Sequence, residues 1–459
     1  MPPESARLSL RKNLGWMFVA TVVYNGCQWG MIAALAKTGP PSMVGDYVFA
    51  LAVCAPIVMF ANLQLRKVQA TDASAEYEFG DYFAVRLFTT LVALLVITAI
   101  AVGRHDGFRV DFVILLVGIA KALESFADLI YGSLQQHERM DRIAQSQIRK
   151  GPLLLIAMIV GVVLTGDLHW ALLGVVVAHG ITLAAFDIPA VLQFQTISLP
   201  GLRAAWRRPR RLLSLGWLSL PFGVATGLIS LRSSMPRYFI QSYLGVHALG
   251  IYGGLAYLTV AGDTANRALV HSAIPRFAIL YATRNLPEYF RLLGKAIVVY
   301  SLLGISGVVI AYLAGRPLLT LLYTPEYASH VNVLVCLAAA FAIHLLGQAF
   351  HTALTALRNF WIQLSMAILD ASCLALFAYL LVPTWGLMGA AWSVLLTEIL
   401  DLLLSSGFLV VCTAGERKRS RLRDSRLEST RHGHTSPESA SVGVWVQASE
   451  RRPLVEPDK

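Results

Sequence analysis

Charged residues are scarce in this sequence. Asp, Glu, Lys and Arg make up 14% of its 459 residues, where a water-soluble protein carries about 25%. With 56% hydrophobic residues, that deficit excludes a soluble globular domain. Cysteine is sparse too. Cys27, Cys54, Cys336, Cys373 and Cys412 each lie in an apolar segment without paired spacing, so neither a disulfide frame nor a zinc site is expected. A phosphate-binding loop is absent, because Gly294-Lys295 is followed by Ala296 and lacks the earlier glycine. His-Glu-x-x-His and Asp-x-Asp patterns are also missing, and the loops between apolar runs are short. These absences argue against ATP hydrolysis and against sugar chemistry on a large exposed platform. Catalytic residues, a metal and a cofactor are accordingly not expected.

What is present is a series of apolar runs near 20 residues long, the length that crosses a bilayer as a helix. The runs lack the period-2 alternation of a membrane β-barrel. Twelve spans are expected, near 13–36, 45–65, 83–103, 110–135, 144–165, 169–192, 213–234, 247–271, 292–314, 330–357, 360–382 and 387–412. The fold class is an all-α polytopic membrane protein. The N-terminus imitates a secretory signal, with Arg7, Arg11 and Lys12 before an apolar stretch ending at Ala34-Leu35-Ala36. That stretch is too long for a signal and carries Asn25 and Gln28, so it reads as an uncleaved first span.

A net charge of +11 would suggest nucleic acid in a soluble protein. Here it follows topology, and no nucleic-acid partner is expected. With the N-terminus inside, the outer side receives Lys37, Arg104, Arg109, Arg232, Arg237 and Arg316, Lys121 and Arg267 lie within the membrane, and the remaining basic residues lie on the cytoplasmic side. The positive-inside rule then places both ends in the cytoplasm.

The chain also repeats itself. Leu14-Gly15-Trp16 recurs as Leu215-Gly216-Trp217, and Gly45-Asp46-Tyr47 as Gly250-Ile251-Tyr252. Asp81-Tyr82-Phe83 recurs as Glu288-Tyr289-Phe290, and the segment from Trp170 to Gly174 as that from Trp385 to Gly389, with Thr182 and Thr397 in register. Each half has six spans that start on the same side, a parallel repeat with a cavity expected at the interface of the halves. The expected organisation is an N-lobe over 1–202, a basic cytoplasmic loop over 203–212, a C-lobe over 213–413, and a disordered basic tail over 414–459. The basic loop serves topology and contact with anionic lipid head groups.

Polar side chains form stripes within the spans. Lys121, Glu124 and Asp128 fall within about 60° of one another on the fourth, and Tyr131 and Gln135 extend the stripe. Three such charges facing lipid would cost on the order of 8–10 kcal/mol, so they must face protein or water. Thr21, Asn25 and Gln28 share a side of the first span. Asp263, Arg267 and His271 lie at i, i+4, i+8 on the eighth; His344, Gln348, His351 and Thr355 share a face of the tenth. Asp370 stands alone on the eleventh, and Glu398, Asp401 and Ser405 line the twelfth. Ion pairing alone would account for Asp263 with Arg267 at i,i+4 spacing. Around Lys121, two acids and one base leave a carboxylate over. Lys121, Arg267, Arg66 and Lys67 are candidate contacts for an anionic head group. Glu124, Asp128, Asp263, Asp370, Glu398 and Asp401 are candidates for coupling to H⁺ or Na⁺ or for setting electrostatics. Asn25, Gln28, Tyr131, His271, His344, Gln348 and His351 are the remaining polar candidates for the cavity.

Three stretches carry a resemblance to a known family: KALESFADLIYGSLQQHERMDRIA in the fourth span, NLQLRKVQATDASAEYEFGDYFAVRL after the second, and MPRYFIQSYLGVHALGIYGGLAYL at the seventh and eighth. In these the chain resembles Wzx-like bacterial oligosaccharide flippases, of the multidrug/oligosaccharidyl-lipid/polysaccharide exporter superfamily, up to about Cys412. The resemblance implies two six-helix lobes in a V shape working by alternating access. It implies a substrate, an undecaprenyl-diphosphate oligosaccharide, moved across the bacterial inner membrane for polysaccharide export. Polysaccharide polymerases and glycosyltransferases of the same pathway are the implied partners. A multidrug or cation antiporter on the same fold is the alternative, and a membrane-embedded polymerase or ligase is a third reading disfavoured by the short loops.

Overall fold

The computed structural model describes residues 10–72, 74–104, 108–194, 204–357 and 360–432. Among these residues every regular element is a helix. In chain order they are α1 (Leu10–Thr38), α2 (Pro41–Ala61), α3 (Leu65–Thr71), α4 (Phe79–Arg104), α5 (Phe108–Gln136), α6 (Met140–Thr165) and α7 (Leu168–Thr182). A π-helical turn, Leu183–Asp187, then leads into α8 (Ile188–Leu192). There follow α9 (Pro209–Tyr257), α10 (Val260–Ala282), α11 (Leu286–Leu322), α12 (Pro325–Ala328), α13 (Val331–Ala356) and α14 (Phe360–His432).

Nine helices among the described residues are long and apolar enough to cross a membrane. The difference from twelve has two causes. Two of the nine bend at a glycine outside helical geometry, Gly245 in α9 (φ 82°) and Gly386 in α14 (φ 59°), so each holds more than one of the expected spans. The helix α5 is not among the nine, since Lys121, Glu124 and Asp128 interrupt its apolar character. The seventh span runs on to the bend at Gly245, past its expected end at 234. The eighth continues through α10 to Ala282.

Several helix ends follow local chemistry. Asp167 caps α7 by accepting the His169 amide at 2.9 Å, as expected of a short carboxylate at an N-cap. Its own acidity is increased chiefly by that backbone bond, and further by the His169 ring, which overcome the opposing effect of burial. Asn285 caps α11 by accepting the Glu288 amide at 3.2 Å. The repeated motifs fall at matching places: Asp81 and Glu288 lie in the first turns of α4 and α11, and Tyr82 and Tyr289 are both buried.

The chain divides into two compact units, Met1–Gly407 and Phe408–Lys459. In the first, α2 runs along α9, α1 along α6, and α11 along α13, while α5 packs against α2, α3, α4 and α7. The approach of α2 to α9 is unusually close at Gly45 and Gly250, which are equivalent in the repeat. A Cβ on Gly250 would lie 1.7 Å from the Pro41 carbonyl oxygen, and one on Gly45 would lie 1.9 Å from that of Val246. In the second unit, the described residues 408–432 are helical, so regular structure continues beyond Thr413. Residues 433–459 of the expected tail lie outside the described residues.

Large apolar side chains point outward along α4, α6 and α11, among them Leu95, Leu164 and Leu313. In water such an exterior would be a broad association surface. In a bilayer the same exterior meets its own solvent, and the polar residues turn inward.

Candidate functional site

The first half concentrates its charges where α3 and α4 meet α5. The short helix α3 exists because Leu63 and Gln64 adopt left-handed φ values of 48° and 50°, which turn the chain after α2. It can lie against α5 because residue 132 is glycine. A Cβ there would sit 3.1 Å from the Arg66 Cα and 2.5 Å from Gln69 Oε1. Arg66 therefore reaches α5 on both sides of Gly132, with NH1 3.2 Å from Asp128 Oδ1 and Nε donating to Gln135 Oε1 at 3.2 Å. Its guanidinium also lies over the Tyr131 ring, 5.6 Å from the centroid.

Asp128 has a second cation, which the helical spacing did not reveal. Arg86 of α4 is fully buried, donates to Asn62, and places NH2 3.7 Å from Asp128 Oδ2. One turn away, Lys121 pairs with Glu124 at 2.7 Å, and the Tyr24 hydroxyl donates to the other oxygen of Glu124 at 2.9 Å. The stripe on α5 is thus two ion-paired groups, and the carboxylate left over on that helix is matched by arginines from α3 and α4. Further along α5, the Tyr131 hydroxyl meets Ser146 at 2.8 Å, and Ser146 bonds Asp187 at 2.5 Å. Lys150 is buried with its ammonium 5.9 Å from the Tyr131 ring centroid.

Exposure separates the members of this group. Lys121, Glu124, Arg66 and Asp128 keep 28, 32, 25 and 33% of their side chains accessible, whereas Arg86 keeps none. Charges within a helical membrane protein face the bundle interior or a wet cavity, so the four accessible ones are the reachable part of the group and Arg86 supports them from behind. Gln28 bonds Tyr24, and Asn25 is half-buried on the same helix. Lys67 is exposed on α3 and does not join the group.

The second half builds a different cluster between α9, α13 and α14. His344 Nδ1 lies 3.0 Å from Glu398 Oε2, and Glu398 Oε1 accepts from Arg232 at 2.9 Å. Arg232 also stands 3.8 Å from Asp370, and His351 Nε2 lies 2.9 Å from both oxygens of Asp401. Gln348 bridges toward the His344 ring at 3.3 Å. Asp370, read from the sequence as solitary, is therefore partnered. Arg232, counted on the outer side at the end of the expected seventh span, sits inside the helices because α9 extends past 234. Part of the cluster borders a cavity of about 390 Å³ that is also lined by Arg237, Tyr257 and Asp263. Asp263 accepts from Asn266 at 3.4 Å. The side chains of Arg267 and His271, and with them the expected pairing of Asp263 with Arg267, lie outside the described residues.

Among the described residues no group of His, Cys, Asp and Glu is arranged to hold a metal ion. Between the membrane helices α3 and α4, Asp72 organises the loop by accepting from the Glu76 and Tyr77 amides at 2.9 and 3.1 Å and the Tyr82 hydroxyl at 3.2 Å. Burial opposes ionisation there, but these bonds outweigh it and hold the carboxyl below the usual aspartate range.

Comparison with known proteins agrees with this architecture. The model of the family described as polysaccharide biosynthesis protein matches residues 10–280. The capsular polysaccharide biosynthesis protein CapF of Staphylococcus aureus is 24% identical over 392 residues, covering 85% of this chain and 97% of CapF. Among solved structures, an inward-facing multidrug resistance MATE family transporter of the MOP superfamily superposes with a TM-score of 0.68 at 13% identity, over 86% of this chain and 95% of the other. The lipid II flippase MurJ, in an inward closed conformation, gives 0.68 at 10% identity, over 85% and 86%. The chain belongs to the polysaccharide biosynthesis protein family, and it is a multi-pass helical membrane protein with the two-lobed fold of these solved structures.

Proposed function

We propose that the protein moves a lipid-linked oligosaccharide, a sugar chain on a polyprenyl diphosphate, across the bacterial inner membrane by alternating access. The two six-helix halves, 1–202 and 213–413, would rock about their interface, with both chain ends in the cytoplasm. The observation that carries this reading is the cationic group of the first half. Arg66, Arg86, Lys121 and Lys150 converge there against Glu124, Asp128 and Asp187. Four bases against three acids favour an anionic ligand, and Arg66 and Lys121 are accessible enough to touch one. A guanidinium offers forked donors to phosphate oxygens, and an ammonium offers a point charge.

The second half supports coupling. His344 with Glu398 and His351 with Asp401 are histidine–carboxylate pairs, and the first borders the cavity beside Arg232, where gain or loss of a proton would alter the charge facing it. H⁺ is the coupling ion this chemistry favours over Na⁺. The same acidic residues favour a second reading, export of cationic drugs, which drug susceptibility of a deletion strain separates from sugar transport.

The test is translocation of lipid-linked oligosaccharide in proteoliposomes, comparing wild type with Arg66→Ala/Lys121→Ala at equal protein levels. Loss of translocation is expected. Retention at the wild-type rate would remove the head-group role from these residues, and no translocation by the wild type would overturn the flippase reading itself.

A further inference from the structure

One side of the bundle carries an apolar opening. It is a groove of about 860 Å³ between α2, α4 and α9. Apart from Thr89, its lining is entirely aliphatic or aromatic. On α9 that lining extends from Leu212 to Leu231, about 29 Å at 1.5 Å per residue. This equals the full hydrocarbon thickness of a bilayer, about 30 Å. One end is marked by Trp206, a residue type that favours the membrane–water boundary.

At that end the chain is basic. Arg207 follows Trp206, and Arg211 precedes Leu212, which also lines the groove. Arg208 is paired with Glu78 at 2.9 Å, and Arg211 with Asp81 at 3.0 Å. Arg207 and Arg210 are exposed and have no acidic partner among the described residues. The groove also adjoins both polar clusters. Leu63 in its wall is the neighbour of Asn62, the acceptor of Arg86, and Leu228 lines both the groove and the 390 Å³ cavity.

We infer that this groove is the loading site for the polyprenyl chain of a lipid diphosphate, whose phosphates are held by Arg207 and Arg210. The inference rests on the flippase reading above and names where the lipid part of that substrate docks. Length decides the occupant. An acyl chain of an ordinary phospholipid fills one leaflet, about half the 30 Å core, and would leave half of the groove empty. A long single isoprenoid chain fills a track that runs the full depth. Charge decides its direction, because the unpaired arginines lie at one end only. A lipid docked this way keeps its head group at the basic end, while its chain runs past Leu63, the neighbour of Asn62.

The experiment measures binding of a fluorescent polyprenyl diphosphate to the full-length protein in detergent. Gly216 offers the cleanest perturbation, since a Cβ there meets nothing within 4 Å and a larger side chain grows into the groove. Gly216→Trp is expected to weaken binding at least tenfold, and Gly216→Leu serves if the tryptophan variant does not accumulate. Arg207→Gln/Arg210→Gln, on exposed positions, is expected to weaken it about tenfold, the loss of a charge-assisted contact. Phosphatidylglycerol in excess should compete poorly. Undiminished binding in both Gly216 variants, or equal competition by phosphatidylglycerol, would overturn the inference and leave the flippase reading intact. Failure of the wild type to bind the probe would count against both. Retained translocation in the Gly216 variants, alongside its loss in Arg66→Ala/Lys121→Ala, would remove the groove alone.

Discussion

Replacing Asp128 with asparagine should damage the protein more than replacing Arg66 with glutamine, although the two side chains form one ion pair. The reason is Arg86. It has no exposed surface, and Asp128 is its only carboxylate within 4 Å among the described residues. Asp128→Asn leaves that guanidinium buried and uncompensated, a change that costs about 3–5 kcal/mol. The 3.7 Å separation and the retained bond to Asn62 place the expected cost near the lower bound, about 3 kcal/mol, or a factor of roughly 150 in the folding equilibrium. Arg66→Gln removes a partly exposed partner from a carboxylate that is itself one-third accessible and still faces Arg86. Its cost should be about 1 kcal/mol or less. Removing both charges, in Asp128→Asn/Arg86→Gln, should recover part of the loss, because no buried ion remains. Thermal unfolding of purified protein in detergent is the assay. At roughly 2–4 °C per kcal/mol for chains of 150–250 residues, and less for longer ones, Asp128→Asn should lower the midpoint by about 5 °C and Arg66→Gln by about 1 °C. Equal shifts for the two single variants, or an Asp128→Asn/Arg86→Gln protein no more stable than Asp128→Asn alone, would refute the assignment of Arg86 as the dependent partner.

Three further outcomes follow from the same geometry. Gly250→Val cannot be accommodated where a Cβ would lie 1.7 Å from the Pro41 carbonyl; overpacking of this kind costs at least about 1–3 kcal/mol, and protein levels in the membrane should fall while Gly216→Val leaves them unchanged. His351→Leu leaves the Asp401 side chain, 4% exposed, without its imidazole; a lower unfolding midpoint is expected, with partial recovery in His351→Leu/Asp401→Asn, and no recovery would argue against the pair. Asp72 has a depressed folded-state pKa, so its stabilisation is complete above the unfolded aspartate value of about 3.9 and fades as pH falls through the lower folded value. Asp72→Asn should therefore lower the unfolding midpoint at pH 7 and change it little at pH 2, and an equal shift at both would show that the carboxylate's ionisation is not what matters.

The sequence by itself determined the class of protein. Hydrocarbon thickness imposes a run length on every crossing helix, and that constraint is local, so the spans, the repeat and the stripe of Lys121, Glu124 and Asp128 could be read along the chain. The stripe announced that α5 faces something polar. It could not say what, since each partner of Asp128 arrives from another helix: Arg66 through a left-handed turn at Leu63 and Gln64, and Arg86 from α4. For the same reason Asp370 seemed solitary and the histidines of α13 unassigned, until α9 and α14 brought Arg232, Glu398 and Asp401 beside them. Arg232 counts toward the outer side when about twenty apolar residues end the seventh span at 234, two residues beyond it, whereas α9 runs on to Gly245. Spacing along one helix fixes which charges share a face. Only the packing of helices far apart in sequence decides which charges meet, which remain open to a ligand, and where the bundle leaves a groove.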